Sequence, residues 1–214
     1  MLRLPNVTLI CISSILVEKS LKALQDSCKD ILFGQVKFLT HKDNIENKSF
    51  EYEYEKTSNL SNWKFSIHEI PLIPSKTHYS IFMIKELYKY VQTKHCLVVQ
   101  YDGFVLNAKA WKEEFLEYDY IGAPWWFHRH LENKVGNGGF SLRSKTLICN
   151  TASIVKDRFH PEDSAIGIEY RQQLEQMGMK FPSNELASTF SAESEPYTNQ
   201  FGWHGGSPPI MLTL

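Results

Sequence analysis

Apolar and polar positions alternate along this chain in a way that predicts most of its elements. Val7–Ile12 is apolar except for Thr8 and runs into Ser13-Ser14, the pattern of a buried strand followed by a helix cap. Between Leu16 and Leu32 the residues Leu21, Leu24, Cys28 and Ile31 recur at spacings of three and four, which predicts a helix with one buried face. Gln35–Thr40 reads as a second strand, and strand, helix and strand in that order open a parallel α/β sheet. The Lys-, Asn- and Glu-rich block His41–Asn62 predicts a mobile surface excursion, and Phe65–Pro71 another strand. Ser80–Val91 carries Ile81, Ile84, Tyr88 and Val91 at helical spacing and leads into an apolar strand over His95–Tyr101. Beyond it, Ala108–Phe115 predicts a short helix, Tyr120–Ala123 and Gly139–Leu142 strands, and Glu162–Met177 a helix with Ile166, Tyr170, Leu174 and Met177 inward. No internal repeat, low-complexity tract or linker breaks the pattern. The expectation is one α/β domain over residues 1–214, a mixed, mostly parallel central sheet flanked by helices.

The run Cys96-Leu-Val-Val99 delivers Gln100, Tyr101 and Asp102 to Gly103. A strand this apolar is buried on both faces, and in α/β sheets ligands gather at the carboxyl ends of such strands. Asp102 offers a hard oxygen suited to Mg²⁺ or Mn²⁺, and Gly103 removes bulk beside it. The Asp-Gly pair equally suits a tight hairpin turn.

Composition narrows the partners. Hydrophobic residues make up 43% of the chain and aromatics 13%, enough for a substantial core. Lys plus Arg number 23 against 24 Asp plus Glu, so no bulk positive field exists to hold nucleic acid or an anionic membrane. No apolar run approaches the roughly 18–20 residues of a membrane span, and Pro5 and Asn6 interrupt the apolar start with no small-residue cleavage site after it. A soluble, unexported, cytoplasmic protein is expected. Its four cysteines show no metal-type spacing, which fits reduced thiols, with Cys11 and Cys96 inside strand patterns.

Four further segments carry candidate chemistry. Val135-Gly-Asn-Gly-Gly-Phe-Ser-Leu-Arg143 puts three glycines before a strand, which suits a ligand lying against bare backbone or a hairpin turn. His160-Pro-Glu-Asp163 places two carboxylates in a first helical turn, where the dipole favours them and where a base could act. Phe201-Gly-Trp-His-Gly-Gly206 sets one imidazole among glycines and aromatics, making His204 a second metal candidate. Trp125 and Trp126, in Pro124-Trp-Trp-Phe127, suit either core packing or a wall for a sugar acceptor.

The ordered set of VVQYDGFVLN (98–107), FLEYDYIGAPW (115–125), VGNGGFSLRS (135–144), PED (161–163) and FGWHGG (201–206) resembles a largely uncharacterised family of small glycosyltransferase-like proteins of the GT-A fold, found in bacteria and viruses. The resemblance runs from about Leu4 to Gly206. It implies a single GT-A-like, Rossmann-like domain and transfer of a sugar from a nucleotide-diphosphate donor to a hydroxyl acceptor. The family's Asp-x-Asp motif stands here as Gln100-Tyr101-Asp102, so Asp102 matches the metal-binding aspartate and Gln100 replaces the first one. His204 matches the histidine that completes the metal site, Mn²⁺ or Mg²⁺ being the implied ion. Gly138 and Gly139 match the glycines facing the donor sugar. Asp163 matches the base of inverting transferases, with Glu162 as acceptor contact or alternative base.

Ser13, Lys76, Tyr79, Gln100 and Tyr101 are further donor-site candidates, Lys76 and Tyr79 because they precede the helix that leads to the Asp102 strand. The acceptor is expected to be a saccharide, a lipid-linked saccharide or a protein hydroxyl, in a bacterial cell or a virus-infected host cell. Two other classes fit some of the same residues: a metal-dependent phosphoesterase, and a non-catalytic nucleotide-sugar or glycan-binding module.

Overall fold

The computed structural model describes residues 1–46, 65–126, 132–193 and 196–205. In chain order its strands are β1 (Leu2–Ile12), β2 (Ile31–His41), β3 (Ser66–Ile70), β4 (His95–Val99), β5 (Gly103–Val105), β6 (Tyr120–Gly122), β7 (Ser141–Ser144), β8 (Ser191–Glu193) and β9 (Gly202–His204). Among the described residues, six of these form one sheet in the order β3-β2-β1-β4-β7-β6. β1 pairs in parallel with β2 and β4, and β2 with β3. β7 alone runs against its neighbours β4 and β6. The expected α/β architecture, mixed and mostly parallel, is what the chain adopts.

Burial on both faces explains the apolar runs. Leu9, Cys11, Phe38, Leu97 and Val99 point into one cluster, which includes Leu21 and Leu24 of helix α1 (Val17–Ser27). The alternating residues Ile10, Ile12, Leu39, Cys96 and Val98 point into another. After β2 comes one helical turn, α2 (Lys42–Glu46); the rest of the expected excursion, 47–62, lies outside the described residues. Helix α3 (Lys76–Lys85) covers the second cluster with Phe82 and Met83. Helix α4 (Lys145–Ile154) contributes Leu147 to the first cluster and Ile148 to the second.

Several boundaries differ from the sequence pattern for identifiable reasons. α1 stops at Ser27, and Ile31 and Leu32 pair with Leu2 and Arg3 as the start of β2, so the helical spacing that reached Ile31 was a coincidence of two apolar elements. β1 begins at Leu2 and passes through Pro5, with a register shift between Leu4 and Thr8 where a residue without an N–H does no harm. Ser13 and Ser14 do not cap α1. Its N-cap is Leu16, at φ 55°, while the Ser14 hydroxyl accepts from the Ile73 N–H at 3.0 Å and Ser13 donates to the Ile15 carbonyl. α3 starts earlier than expected, capped by Ser75, and Ile81 stays 38% exposed. Ala108–Phe115 resolves into two short 3₁₀ turns. The expected helix 162–177 is split into α5 (Glu162–Ser164), a π turn over Ala165–Glu169, and α6 (Arg171–Gln176).

Two features of topology bring distant segments together. Parallel β1, β2 and β4 all end at one edge of the sheet, and because β7 is antiparallel its start, not its end, lies at that same edge, with Ser141 opposite Val98. A second sheet, β5-β9-β8, is appended there: His204 pairs with Gly103 on one side and with Glu193 on the other. α7 (Asn184–Phe190) leads into β8 and buries Phe190 against Phe140 and Phe201. No helix among the described residues is long and apolar enough to cross a membrane.

Candidate functional site

Asp102 stands in a tight turn closed by two hydrogen bonds, Gln100 N–H to the Gly103 carbonyl and Gly103 N–H to that of Gln100, each 3.0 Å. The Asp-Gly pair therefore forms the tight turn that was one of its two sequence readings. The Asp102 Oδ1 atom is buried and has no hydrogen-bond partner among the described residues. It lies 3.6 Å from Nε2 of His204. The backbone of this corner is tied down by the Gly205 N–H, which donates to the Asp102 carbonyl at 2.9 Å.

His204 arrives on β9 and lies flat against the glycine segment. A Cβ on Gly139 would come within 2.0 Å of His204 Nε2, and one on Gly138 within 2.1 Å of Glu162 Oε1. These glycines thus make room first for protein side chains, where the sequence suggested room for a ligand. On its other edge the imidazole Nδ1 is 3.1 Å from Glu193 Oε1 and 2.9 Å from the Asn137 amide nitrogen. Burial favours the neutral ring, but the carboxylates of Glu193, Asp102 and Asp163 outweigh it and raise the pKa of His204.

Asp163 sits across the cleft on α5. Its Oδ2 accepts from the Gly138 N–H at 3.1 Å and its Oδ1 from the Ser164 N–H at 2.8 Å. Desolvation and the neighbouring Glu162 charge nevertheless push its pKa up to about 6. Glu162 is engaged elsewhere: its Oε1 meets the fully buried guanidinium of Arg143 at 3.1 Å, and its Oε2 accepts from the Ser80 hydroxyl at 3.3 Å. Ser80 also lies 2.9 Å from His160 Nδ1. In this trio the imidazole does not stand between hydroxyl and carboxylate, so it lacks the relay order of an activated serine nucleophile.

Of these groups, His204, Asp163, Glu162, Ser80 and His160 border a cleft of about 480 Å³, whose lining does not include Asp102. Ser13, Lys76, Tyr79, Gln100 and Tyr101 line it from the strand ends and α3, and Gly138, Gly139, Glu162, Asp163 and His204 line it from the opposite side. The donor candidates and the two catalytic candidates are brought together. Trp125 and Trp126 are not brought there. They border a second, larger cleft of about 980 Å³, where Trp126 is 48% exposed and Trp125 only 2%. The Trp125 indole covers Gly136, whose added Cβ would fall 1.9 Å from it, so core packing accounts for most of this residue. Glu193 borders both clefts.

Asp102 and His204 fit a divalent ion, since an orphaned buried carboxylate oxygen faces a ring nitrogen across a short gap. Among the described residues no group of three or more His, Cys, Asp or Glu side chains is arranged to hold a metal. A pair of protein ligands would leave the remaining positions to water or phosphate oxygens, which suits Mg²⁺ because it keeps several waters. Sequence reasoning missed Glu193, Asn137 and Arg143. Asn137 and Arg143 lay inside a segment already singled out for its glycines, but Glu193 carries no local signal at all.

The chain belongs to the family described as "Protein of unknown function (DUF5672)", whose profile matches residues 62–206. No curated protein matches its sequence. Among solved structures it is similar to a mannosyltransferase from Pyrobaculum calidifontis in complex with GDP-Man and Mn²⁺, at 10% identity and a TM-score of 0.47, over 76% of this chain and 52% of that one. It is also similar to the glycosyltransferase GlyE of Streptococcus pneumoniae TIGR4, at 10% identity and a TM-score of 0.43, over 80% and 49%. A third is a putative glucose-1-phosphate thymidylyltransferase from Bacillus anthracis in complex with a sucrose, at 9% identity and a TM-score of 0.44, over 92% and 98%. The chain spans about half the length of the two glycosyltransferases.

Proposed function

We propose that this protein transfers a sugar from a nucleotide-diphosphate donor to a hydroxyl acceptor, with Mn²⁺ or Mg²⁺ held by Asp102 and His204 and with Asp163 as the base. The observation that carries this reading is the buried, unpartnered Asp102 Oδ1 facing His204 Nε2 at 3.6 Å, with His204 itself lining the cleft that also holds Asp163. A bound divalent ion supplies neutralisation of the departing diphosphate, so the leaving group needs no protein acid. The chain then has to supply binding and one base.

Asp163 suits that task by position and charge. Above about pH 6 its carboxylate is ionised, and the two backbone N–H groups fix its orientation while leaving lone pairs for an acceptor proton. Glu162, committed to Arg143, acts in this reading as the neighbour that keeps Asp163 basic, in place of the acceptor contact or second base that its sequence position suggested. Ser13, Lys76 and Tyr79 line the part of the cleft assigned to the donor nucleotide. The second cleft, with Trp126 exposed on it and Glu193 shared with the first, is assigned to the acceptor. Saccharide, lipid-linked saccharide and protein hydroxyls all suit it.

The test is a thermal-shift screen of nucleotide sugars with and without Mn²⁺. A donor at 100 times its dissociation constant adds about 2.7 kcal/mol of stability. Stabilisation that requires Mn²⁺ and vanishes in Asp102→Asn is the expected result. Donor affinity unchanged in EDTA would overturn the metal assignment. Release of phosphate from simple esters, or donor binding with no turnover or hydrolysis under any acceptor, would replace transfer by the phosphoesterase or the binding module.

A further inference from the structure

His204 can meet a metal through Nε2 only if that nitrogen carries no proton, and its other nitrogen stands between two groups that pull in opposite directions. Nδ1 is 3.1 Å from the Glu193 carboxylate, which can only accept, and 2.9 Å from the Asn137 amide nitrogen, which can only donate. The orientation of that amide is fixed from its other end, because Asn137 Oδ1 accepts from the Phe140 N–H at 3.1 Å. If Asn137 prevailed, Nδ1 would be the acceptor, the proton would sit on Nε2, and it would point at Asp102 Oδ1 where an ion belongs. If Glu193 prevails, Nδ1 holds the proton and the Nε2 lone pair faces Asp102. Either tautomer turns a proton toward a carboxylate, but Glu193 at 3.1 Å is within hydrogen-bond reach and Asp102 at 3.6 Å is not, and a hydrogen bond to a charged acceptor outweighs the neutral one from Asn137, so Glu193 prevails.

We infer that Glu193 is a positioning residue that holds the His204 proton on Nδ1 against the competing amide of Asn137, and so keeps Nε2 open toward Asp102 for a divalent ion. Backbone pairing supports this, since Glu193 and His204 are register partners on β8 and β9, which places the two side chains side by side. The remaining Glu193 oxygen, Oε2, is buried and has no hydrogen-bond partner among the described residues, so the carboxylate has no other engagement to explain it. The inference rests on the metal role of His204 proposed above, yet the position of the proton is observable without any metal.

Two measurements test it. In EDTA, at a pH where the ring is neutral, ¹⁵N NMR of histidine-labelled protein is expected to show His204 protonated on Nδ1 in the native chain and on Nε2 in Glu193→Ala. In Mn²⁺ titrations followed by the EPR signal of the free ion, Glu193→Ala is expected to bind about 10- to 100-fold more weakly, the usual effect of removing such an outer partner. Glu193→Gln keeps the shape and an accepting oxygen, so it recovers most of that loss, and it serves if the alanine variant fails to fold. A native His204 protonated on Nε2, or Mn²⁺ affinity unchanged in both Glu193 variants, overturns the inference. Failure of the metal reading is separable: the proton then shifts as expected, but Asp102→Asn and His204→Ala leave Mn²⁺ binding untouched.

Discussion

Asp163 shows how a single carboxylate reports its surroundings. Burial and the Glu162 charge raise its pKa to about 6, against about 3.9 for an aspartate in an unfolded chain. The folded protein therefore holds that proton more tightly than the unfolded chain does. The resulting stabilisation is complete below about pH 4 and is lost as pH rises through about 6. Thermal melts in EDTA are expected to show the native chain losing stability relative to Asp163→Asn over that window; a difference independent of pH would contradict it. With a donor and acceptor in hand, the same variant is expected to keep donor affinity and lose on the order of 10² to 10⁴ in turnover. Arg143 makes the complementary case. Its fully buried guanidinium answers Glu162, so Arg143→Ala leaves a buried carboxylate uncompensated and is expected to cost about 3–5 kcal/mol in a urea melt. Asp102, Asp163 and His204 stood out in the sequence as candidates because each sits in a short motif with glycine or proline. Arg143 did not, because in sequence it is one polar position of an alternating strand, and only the fold, with β7 paired between β4 and β6, reveals that its side chain is fully buried.

At the scale of elements, the site depends on how a glycine segment meets the last strand. Gly139 and Gly136 make this testable, since each is glycine for a different neighbour. A methyl at Gly139 would press on His204 Nε2, so Gly139→Ala is expected to weaken Mn²⁺ binding about as far as His204→Ala does. A methyl at Gly136 would press on the buried Trp125 ring, so Gly136→Ala is expected to cost about 1–3 kcal/mol of stability through overpacking. Reversed effects in paired melts and Mn²⁺ titrations would mean that these contacts do not set the two roles. Elements buried on two faces, β1 and β4, were plain in the sequence because the whole run is apolar. Boundaries were less so. Ile31 continued a helical spacing by chance, and the π turn after Ser164 kept Ile166 and Leu174 inward while breaking the helix that their spacing implied. The pairing of Glu193 with His204 could not be read locally, because register between β8 and β9 is a property of strands that meet only in the fold.

For the molecule as a whole, charge limits the partners. A formal net charge of −1 gives few phosphate contacts for counterion release, so submicromolar binding of duplex DNA at physiological salt is not expected. Tight binding that falls steeply as salt rises would reverse this view. The order in which parts of the molecule come into being has its own consequence. All six strands of the main sheet lie before Lys145, whereas His204 follows Asp102 by roughly a hundred residues. At about 5–20 residues per second on a ribosome, some 5–20 s separate the synthesis of the two. Throughout that interval the growing chain has Asp102 and lacks the imidazole opposite it. On the proposed metal reading, capture of the ion waits until β9 has docked, so the ion stabilises chains in which that strand is in place and gives nothing to shorter ones.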